Sequence, residues 1–413
     1  MIRATVISAI DQALLSALNL GLAVLLIHFA SKQEYGLYAQ LINLQAFFSP
    51  LHAGVFVSAY LAIASKMDTR TQVTYRTSMA RAELVTTIAS SVVVVIVCAA
   101  GSRLFGHTIA FATCIAFALA LLGLWWREFV RQIQFAMQRY DRTLNIDAIY
   151  CFTTGAMILL AIATVGLSAT SVLWCMGVGA LVATALPLIA AVRRDSVDSI
   201  SIKSAVSMSW IMGRWEVLGS ILTWGYAQSY VYFAALHGGL DAAAEVSAGR
   251  LLATPLSLMW ASYANVLRPS ASRLLAVESY EGAHRLALRS AGFVVVSSFL
   301  YAVAIYSLIP IINQKLFGSK FAQLQTLAMW WIAYTALTGI STVASSLLRS
   351  AMQFRQVFTR QVLSCMAAIV LLTLSLRFAA TQSLIIALVA IELISASLFW
   401  HQMRTALLKQ SSV

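Results

Sequence analysis

Charged residues are scarce in this chain, and their scarcity excludes a soluble fold. Only 10% of the 413 residues are charged, whereas 60% are apolar. A soluble domain of this size exposes too much surface to cover it with so few polar side chains. The composition therefore predicts an integral membrane protein.

Paired cysteines and enzyme motifs are also lacking. The five cysteines have no paired spacing and fall within apolar runs, which argues against a disulfide framework and a metal site. The chain has no glycine-rich phosphate loop, no His-Glu-x-x-His and no loop Asp-x-Asp. Every segment between apolar runs is short, which leaves no room for an extramembrane catalytic domain. We therefore expect a protein that is not an enzyme and needs no cofactor.

Long apolar runs are plentiful. Crossing about 30 Å of hydrocarbon takes about 20 apolar residues in a helix. The sequence predicts twelve such spans: 6–30, 37–65, 82–101, 108–126, 145–166, 170–192, 208–235, 244–267, 291–312, 325–348, 362–381 and 383–403.

Basic residues occur in alternate gaps between these spans. Of the 28 Lys and Arg, 21 lie on the side of the N-terminus, two lie within spans, and the other side holds only Lys32, Arg103, Lys315, Lys320 and Arg377. The positive-inside bias then predicts that both termini are cytoplasmic. The net charge of +13 is divided among many short loops, which favours contact with anionic membrane lipids and argues against nucleic acid binding.

The spans divide into two sets of six, which predicts an internal duplication. We expect an N-terminal lobe over 1–192, a cytoplasmic linker over 193–207 and a C-terminal lobe over 208–413. Because each lobe has an even number of spans, the lobes would be parallel repeats related by a pseudo-two-fold axis along the membrane normal, with a substrate path between them.

Proline occurs at matching places in the two lobes. Pro50 lies in the second span of the first lobe and Pro255 in the second span of the other, although the chain has only five prolines. Paired helix interruptions point to a transport site. The alternative is simple packing, since membrane helices tolerate proline.

Polar residues form stripes on the first span of each lobe. Gln12 and Asn19 share a helix face beside Asp11, and Glu216 follows Arg214 in span 7. Ionisable residues at such depth are candidates for function. Arg214 and Glu216 could instead be solvated near the inner interface.

Arg250, one turn before Pro255, is the strongest candidate for binding an anionic substrate. A guanidinium can hold a phosphate through two parallel hydrogen bonds. The alternatives are that it snorkels to the interface or pairs with Glu245. The candidates for coupling to a proton or sodium gradient are Asp11, Glu216, His52 and Glu392. His52 could equally be hydrogen-bonded within the bundle, and no role is assigned to Glu392.

The segment from Arg127 to Arg142 has cations near helical spacing with apolar residues between them. This pattern predicts a stretch that lies along the inner membrane surface with its cations near lipid headgroups.

Several short motifs resemble one family. They are Asp11-Gln12-Ala13-Leu14-Leu15-Ser16-Ala17-Leu18-Asn19, Glu34-Tyr35-Gly36-Leu37-Tyr38-Ala39, Ala136-Met137-Gln138-Arg139-Tyr140 followed by Asp147, and Ala248-Gly249-Arg250-Leu251. In this order they are similar to the Wzx-type polysaccharide flippases of the multidrug/oligosaccharidyl-lipid/polysaccharide exporter superfamily.

The resemblance implies a transporter in the bacterial inner membrane that moves an undecaprenyl-diphosphate-linked oligosaccharide for surface polysaccharide such as O-antigen. It also implies two six-helix lobes, ion-coupled alternating access, and a polysaccharide polymerase and a chain-length regulator as partners. A multidrug or cation antiporter of the same superfamily is the nearest alternative. A membrane polysaccharide polymerase fits less well, because it needs a large outer loop.

Overall fold

Most of the described residues are α-helical, and none of them forms a strand. The computed structural model describes residues 2–52, 69–100, 109–137, 139–193, 227–277, 279–351, 353–375, 377 and 381–411, with isolated residues and pairs between 204 and 225. Within these residues lie α1 (Ile2–Phe29), α2 (Lys32–His52), α3 (Thr69–Ala100), α4 (Phe111–Ala136), α5 (Tyr140–Thr164), α6 (Ala169–Ala183), α7 (Ala185–Arg193), α8 (Tyr230–Ala276), α9 (Tyr280–Lys315), α10 (Leu324–Ser350), α11 (Phe354–Ser375) and α12 (Gln382–Ser411).

These helices form an all-α integral membrane fold, as the composition predicts. Among the described residues, eight helices are long and apolar enough to cross a membrane. Large apolar side chains such as Phe152 and Phe299 are 80% and 67% exposed. Exposed apolar surface of this extent suits lipid and not water. The predicted spans over 37–65 and 208–235 extend beyond the described residues.

The predicted span over 170–192 is not one continuous helix, because the helix is interrupted at Thr184. Its backbone has φ −117° and ψ 15°, which ends α6, and α7 begins at the next residue. The Thr184 hydroxyl donates to the carbonyl of Ala180 at 2.7 Å. Pro187 lies in the first turn of α7, where its missing N–H costs no helical hydrogen bond. Threonine as a cap with proline three residues later accounts for the break.

A kink at Gly238 and Gly239 divides α8. Gly239 has φ +67° and ψ −162°, a conformation that is open in practice only to glycine. The longer part of α8 after this kink contains the predicted span over 244–267. Helical dihedrals continue through Pro255.

The chain divides into two compact units, Met1–Ile221 and Leu222–Val413, which we call unit 1 and unit 2. Most of the predicted linker over 193–207 lies outside the described residues, so the predicted lobe boundaries stay a prediction. In unit 1, α4 and α6 approach so closely that a Cβ on Gly123 would lie 2.5 Å from the carbonyl oxygen of Gly177. In unit 2, a Cβ on Gly249 of α8 would lie 3.0 Å from Leu327 Cβ of α10.

Candidate functional site

Unit 1 contains a buried ion-pair network that joins three helices. Arg131 of α4 donates to Asp11 of α1 at 2.9 Å and to Asp147 of α5 at 2.5 Å. It also donates to Glu128 on its own helix at 2.6 Å. Asp147 is 0% exposed and Asp11 2%, so these charges are removed from solvent and lipid alike. One guanidinium therefore holds α1 and α5 against α4. We use the name acidic–arginine network for Asp11, Arg127, Glu128, Arg131 and Asp147.

Arg127, one turn before Arg131, completes the network. Its Nη1 donates to Asp147 Oδ1 at 2.9 Å, and its Cζ lies 3.9 Å from the centroid of the Tyr150 ring. A carboxylate and an aromatic face are both strong partners for a buried guanidinium. Asp147 thus accepts from two arginines at once.

These contacts correct the expectation for the segment from Arg127 to Arg142. The first two arginines are buried in α4, whereas Arg139 and Arg142 at the start of α5 are exposed. Arg127 and Arg131 can leave the membrane surface because Asp11 and Asp147 compensate their charge within the bundle. The four-residue spacing of the two arginines, which puts them on one helix face, was the available signal. The partners that decide the matter lie far away in the sequence.

The acidic–arginine network carries one more carboxylate than it has arginines. Asp11, Glu128 and Asp147 face Arg127 and Arg131, and the side chain of Glu128 is 39% exposed. Within the described residues, Asp11 Oδ1 is buried and accepts no hydrogen bond. A small cation bound at Asp11 would satisfy this oxygen and compensate the excess negative charge.

The polar stripe of the first span points away from this network. Gln12 and Asn19 are exposed on α1, whereas the neighbouring Asp11 is buried. The two parts of the predicted constellation therefore lie on different sides of the helix.

Unit 2 positions Arg250 against aromatic rings. Its Nη1 donates to the side-chain oxygen of Gln228 and, at 3.0 Å, to the hydroxyl of Tyr230. Its Cζ lies 5.1 Å from the centroid of the Tyr230 ring and 5.4 Å from that of Trp331. Both rings are buried and meet edge to face with centroids 4.7 Å apart. Arg250 itself is partly buried, so its guanidinium is preorganised and still partly accessible.

Trp331 is fixed in place from α10. Its indole N–H donates to the carbonyl of Val246 at 2.9 Å, and Trp331 Cδ1 would lie 3.2 Å from a Cβ on Gly249. Glycine beside Arg250 thus allows the indole to approach the backbone of α8. The sequence marked Arg250 as a candidate and put Tyr230 on the polar face of span 7, but Gln228 and Trp331 carried no signal of their own.

The remaining predicted residues of unit 2 are separate features. Pro255 is exposed on α8. Glu392 of α12 is buried and accepts a hydrogen bond from the Ser341 hydroxyl of α10 at 2.6 Å.

Four predicted residues lie outside what the structure describes. Arg214 and Glu216 are not among the described residues, and for Pro50 and His52 only the backbone of α2 is described.

Solved structures of other proteins show which fold this chain has. By sequence the chain matches no protein-family profile and no curated protein. It is similar in structure to a multidrug resistance MATE family transporter of the MOP superfamily in its inward-facing conformation, with a TM-score of 0.72 and 14% identity over 96% of each chain. An outward-facing MATE transporter gives 0.64 and 12% over 100% of this chain and 96% of the other.

A third similar structure is a MOP superfamily transporter from Pyrococcus furiosus, described as having a binding pocket of reverse polarity that suggests a different function. It gives a TM-score of 0.62 and 11% identity over 99% of this chain and 96% of that one. At these identities the likeness establishes the architecture and not the substrate. The chain has the helical fold of these MATE transporters.

Proposed function

We propose that this protein is a membrane transporter that works by alternating access. The observation that carries the proposal is the likeness, over 96% or more of the chain, to transporters captured in both inward-facing and outward-facing conformations. A fold that supports both states can expose one site to each side of a membrane in turn. We place the protein in the bacterial inner membrane, as its resemblance to the polysaccharide flippases implies. Both termini would lie in the cytoplasm, as the distribution of Lys and Arg predicts.

In this proposal the acidic–arginine network couples transport to a proton or sodium gradient. Asp11 joins α1 to Arg131, and its second oxygen has no hydrogen-bond donor among the described residues. Protonation of Asp11, or a cation bound to it, would weaken its attraction to Arg131 and free α1 to shift against α4. Glu392, which is buried beside Ser341, is the corresponding candidate in unit 2.

The structural neighbours favour a multidrug or cation antiporter, whose substrates would be cationic compounds. Two of them are multidrug resistance transporters. A cationic compound would need accessible carboxylates or aromatic faces. Unit 2 supplies aromatic surface in Trp331 and Tyr230, although both rings are already occupied by Arg250.

Arg250 favours a second substrate class, an undecaprenyl-diphosphate-linked oligosaccharide destined for surface polysaccharide. A partly accessible guanidinium braced by Gln228 and Tyr230 suits a diphosphate or an acidic sugar. The neighbour with a binding pocket of reverse polarity is a precedent for such a change within this fold. A flippase of this kind would work beside a polysaccharide polymerase and a chain-length regulator.

One experiment separates the two classes. The gene is deleted in its bacterium and complemented with the wild type, with Arg250→Ala, or with Arg289→Ala, which removes an exposed arginine of unit 2 as a matched control. Accumulation of lipid-linked repeat units by mass spectrometry, with loss of surface polysaccharide that Arg250→Ala fails to rescue, supports the flippase. Unchanged polysaccharide with increased sensitivity to cationic compounds supports the antiporter. If neither phenotype appears, both substrate classes are overturned.

A further inference from the structure

Unit 1 has a cavity that the proposed transport mechanism does not use. Its volume is about 240 Å³, and residues of α3, α4, the start of α5 and α7 line it. Sites for drug-sized molecules have volumes of about 300–1,000 Å³. This cavity is therefore the size for a small group, such as the head of a larger molecule.

Three arginines line the cavity. Arg76 comes from α3, and Arg139 and Arg142 come from the start of α5. Within the described residues, none of the three forms an ion pair with a carboxylate. This contrasts with Arg127 and Arg131 on α4, whose charges are compensated by Asp11 and Asp147.

Arg76 has no strong acceptor among the described residues. It is partly buried, and among the described residues its guanidinium donates only to the thioether sulfur of Met137, at 3.3 Å. A thioether is a weak acceptor, whereas a guanidinium has five donors suited to planar or tetrahedral oxyanions. The arrangement leaves donor capacity beside the cavity.

The wall of the cavity holds a second unused donor. Trp126 lines it and is 1% exposed, and its indole N–H finds no acceptor among the described residues. A buried donor without an acceptor is destabilising, and an acceptor within the cavity would satisfy it. Phe129 and Ile133 make another part of the wall apolar.

We propose that this cavity binds a phosphate group, held by Arg76, Arg139 and Arg142 with Trp126 as a neutral donor. A phosphate offers the oxygens that three cations and an indole N–H lack. An apolar wall beside the charge suits the phosphate of a membrane lipid, and a soluble phosphate ester is the other source of the same chemistry. The proposal does not depend on which substrate the protein transports.

Native mass spectrometry of the purified full-length chain tests the proposal. The probes are phosphatidylglycerol, phosphatidylcholine and glycerol 3-phosphate. The variants are Arg76→Gln and Arg142→Gln, with Arg289→Gln as the control that removes the same charge from an exposed site in unit 2. Arg142 is exposed, so its replacement leaves the packing intact and keeps the test valid if Arg76→Gln misfolds.

We expect each cavity variant to raise the Kd of the first phosphatidylglycerol about ten-fold, and the control to change it by less than about two-fold. Loss of glycerol 3-phosphate binding in the same variants, with lipid binding unchanged, supports the phosphate site and identifies a soluble ester as its source. The proposal is overturned if the wild type and both cavity variants have equal Kd values for phosphatidylglycerol and also for glycerol 3-phosphate. Phosphatidylcholine carries the same phosphodiester group, so phosphatidylcholine binding that the cavity variants weaken also supports a phosphate site.

Discussion

Each unit contains a buried carboxylate, but the hydrogen-bond donors differ: they are charged in unit 1 and neutral in unit 2. Asp147 in unit 1 accepts from Arg127 and Arg131, whereas Glu392 in unit 2 accepts from the neutral hydroxyl of Ser341. Both residues are almost fully buried. A paired charge is part of the structure, because removal of one partner strands the other. A charge held by a hydroxyl can be lost without stranding an ion, and so is better suited to gain and lose a proton.

The largest expected effect is that of Asp147→Asn. The amide keeps the shape of the side chain but removes the anion that two buried arginines share. We therefore expect the free energy of unfolding to fall by about 3–5 kcal/mol. Denaturant unfolding in detergent measures the difference. A loss below about 1 kcal/mol would mean that the acidic–arginine network contributes little to the packing of α4 against α5.

Helix packing gives the next effect. Gly123→Ala places a methyl group 2.5 Å from the carbonyl oxygen of Gly177, and backbone cannot move aside cheaply. We expect a loss of about 1–3 kcal/mol from overpacking in unit 1. In unit 2, Gly249→Ala meets the Leu327 side chain at 3.0 Å, so we expect a smaller loss.

Gly21→Ala is the control for this pair, because a Cβ at Gly21 meets nothing within 4 Å. There the helix propensity of alanine should stabilise α1 by up to about 1 kcal/mol. The same unfolding measurement serves all three variants. An equal loss at the three positions would contradict the close approach of α4 and α6.

Arg250→Lys sharpens the contrast in function. Lysine keeps the charge but cannot hold Gln228 and Tyr230 while offering two parallel donors to a phosphate. For an anionic lipid-linked substrate we expect uptake into vesicles to fall about ten-fold, the loss of one charge-assisted hydrogen bond. Tyr230→Phe removes the hydroxyl and keeps the ring, so we expect uptake to fall by less in this variant. Full activity of Arg250→Lys would exclude a bidentate role.

Glu392→Gln should have the smallest effect on stability. The glutamine can still accept from Ser341, and no buried cation among the described residues forms an ion pair with Glu392. We expect the free energy of unfolding to change by less than about 1 kcal/mol. If Glu392 takes up the coupling ion, the variant should fold normally and lose gradient-driven transport. A large loss of stability would place Glu392 with Asp147 as a structural charge.

The sequence predicted the helical membrane fold because hydropathy depends on local composition, and it located Arg250 within an apolar helix. It failed where the outcome depends on distant partners. Arg127 and Arg131 looked like surface cations until Asp11 and Asp147 were brought beside them. The break at Thr184 was missed because hydropathy does not record the end of a helix within an apolar run.

The salt bridge between Asp11 and Arg131 also has a consequence for how the protein is made. The two residues are 120 positions apart, so α1 enters the membrane long before its partner has been synthesised. At about 5–20 residues per second, the delay is roughly 6 to 24 s. During that time Asp11 lacks the arginine with which it pairs in the folded protein. α1 therefore completes its packing only after α4 has followed it into the bilayer.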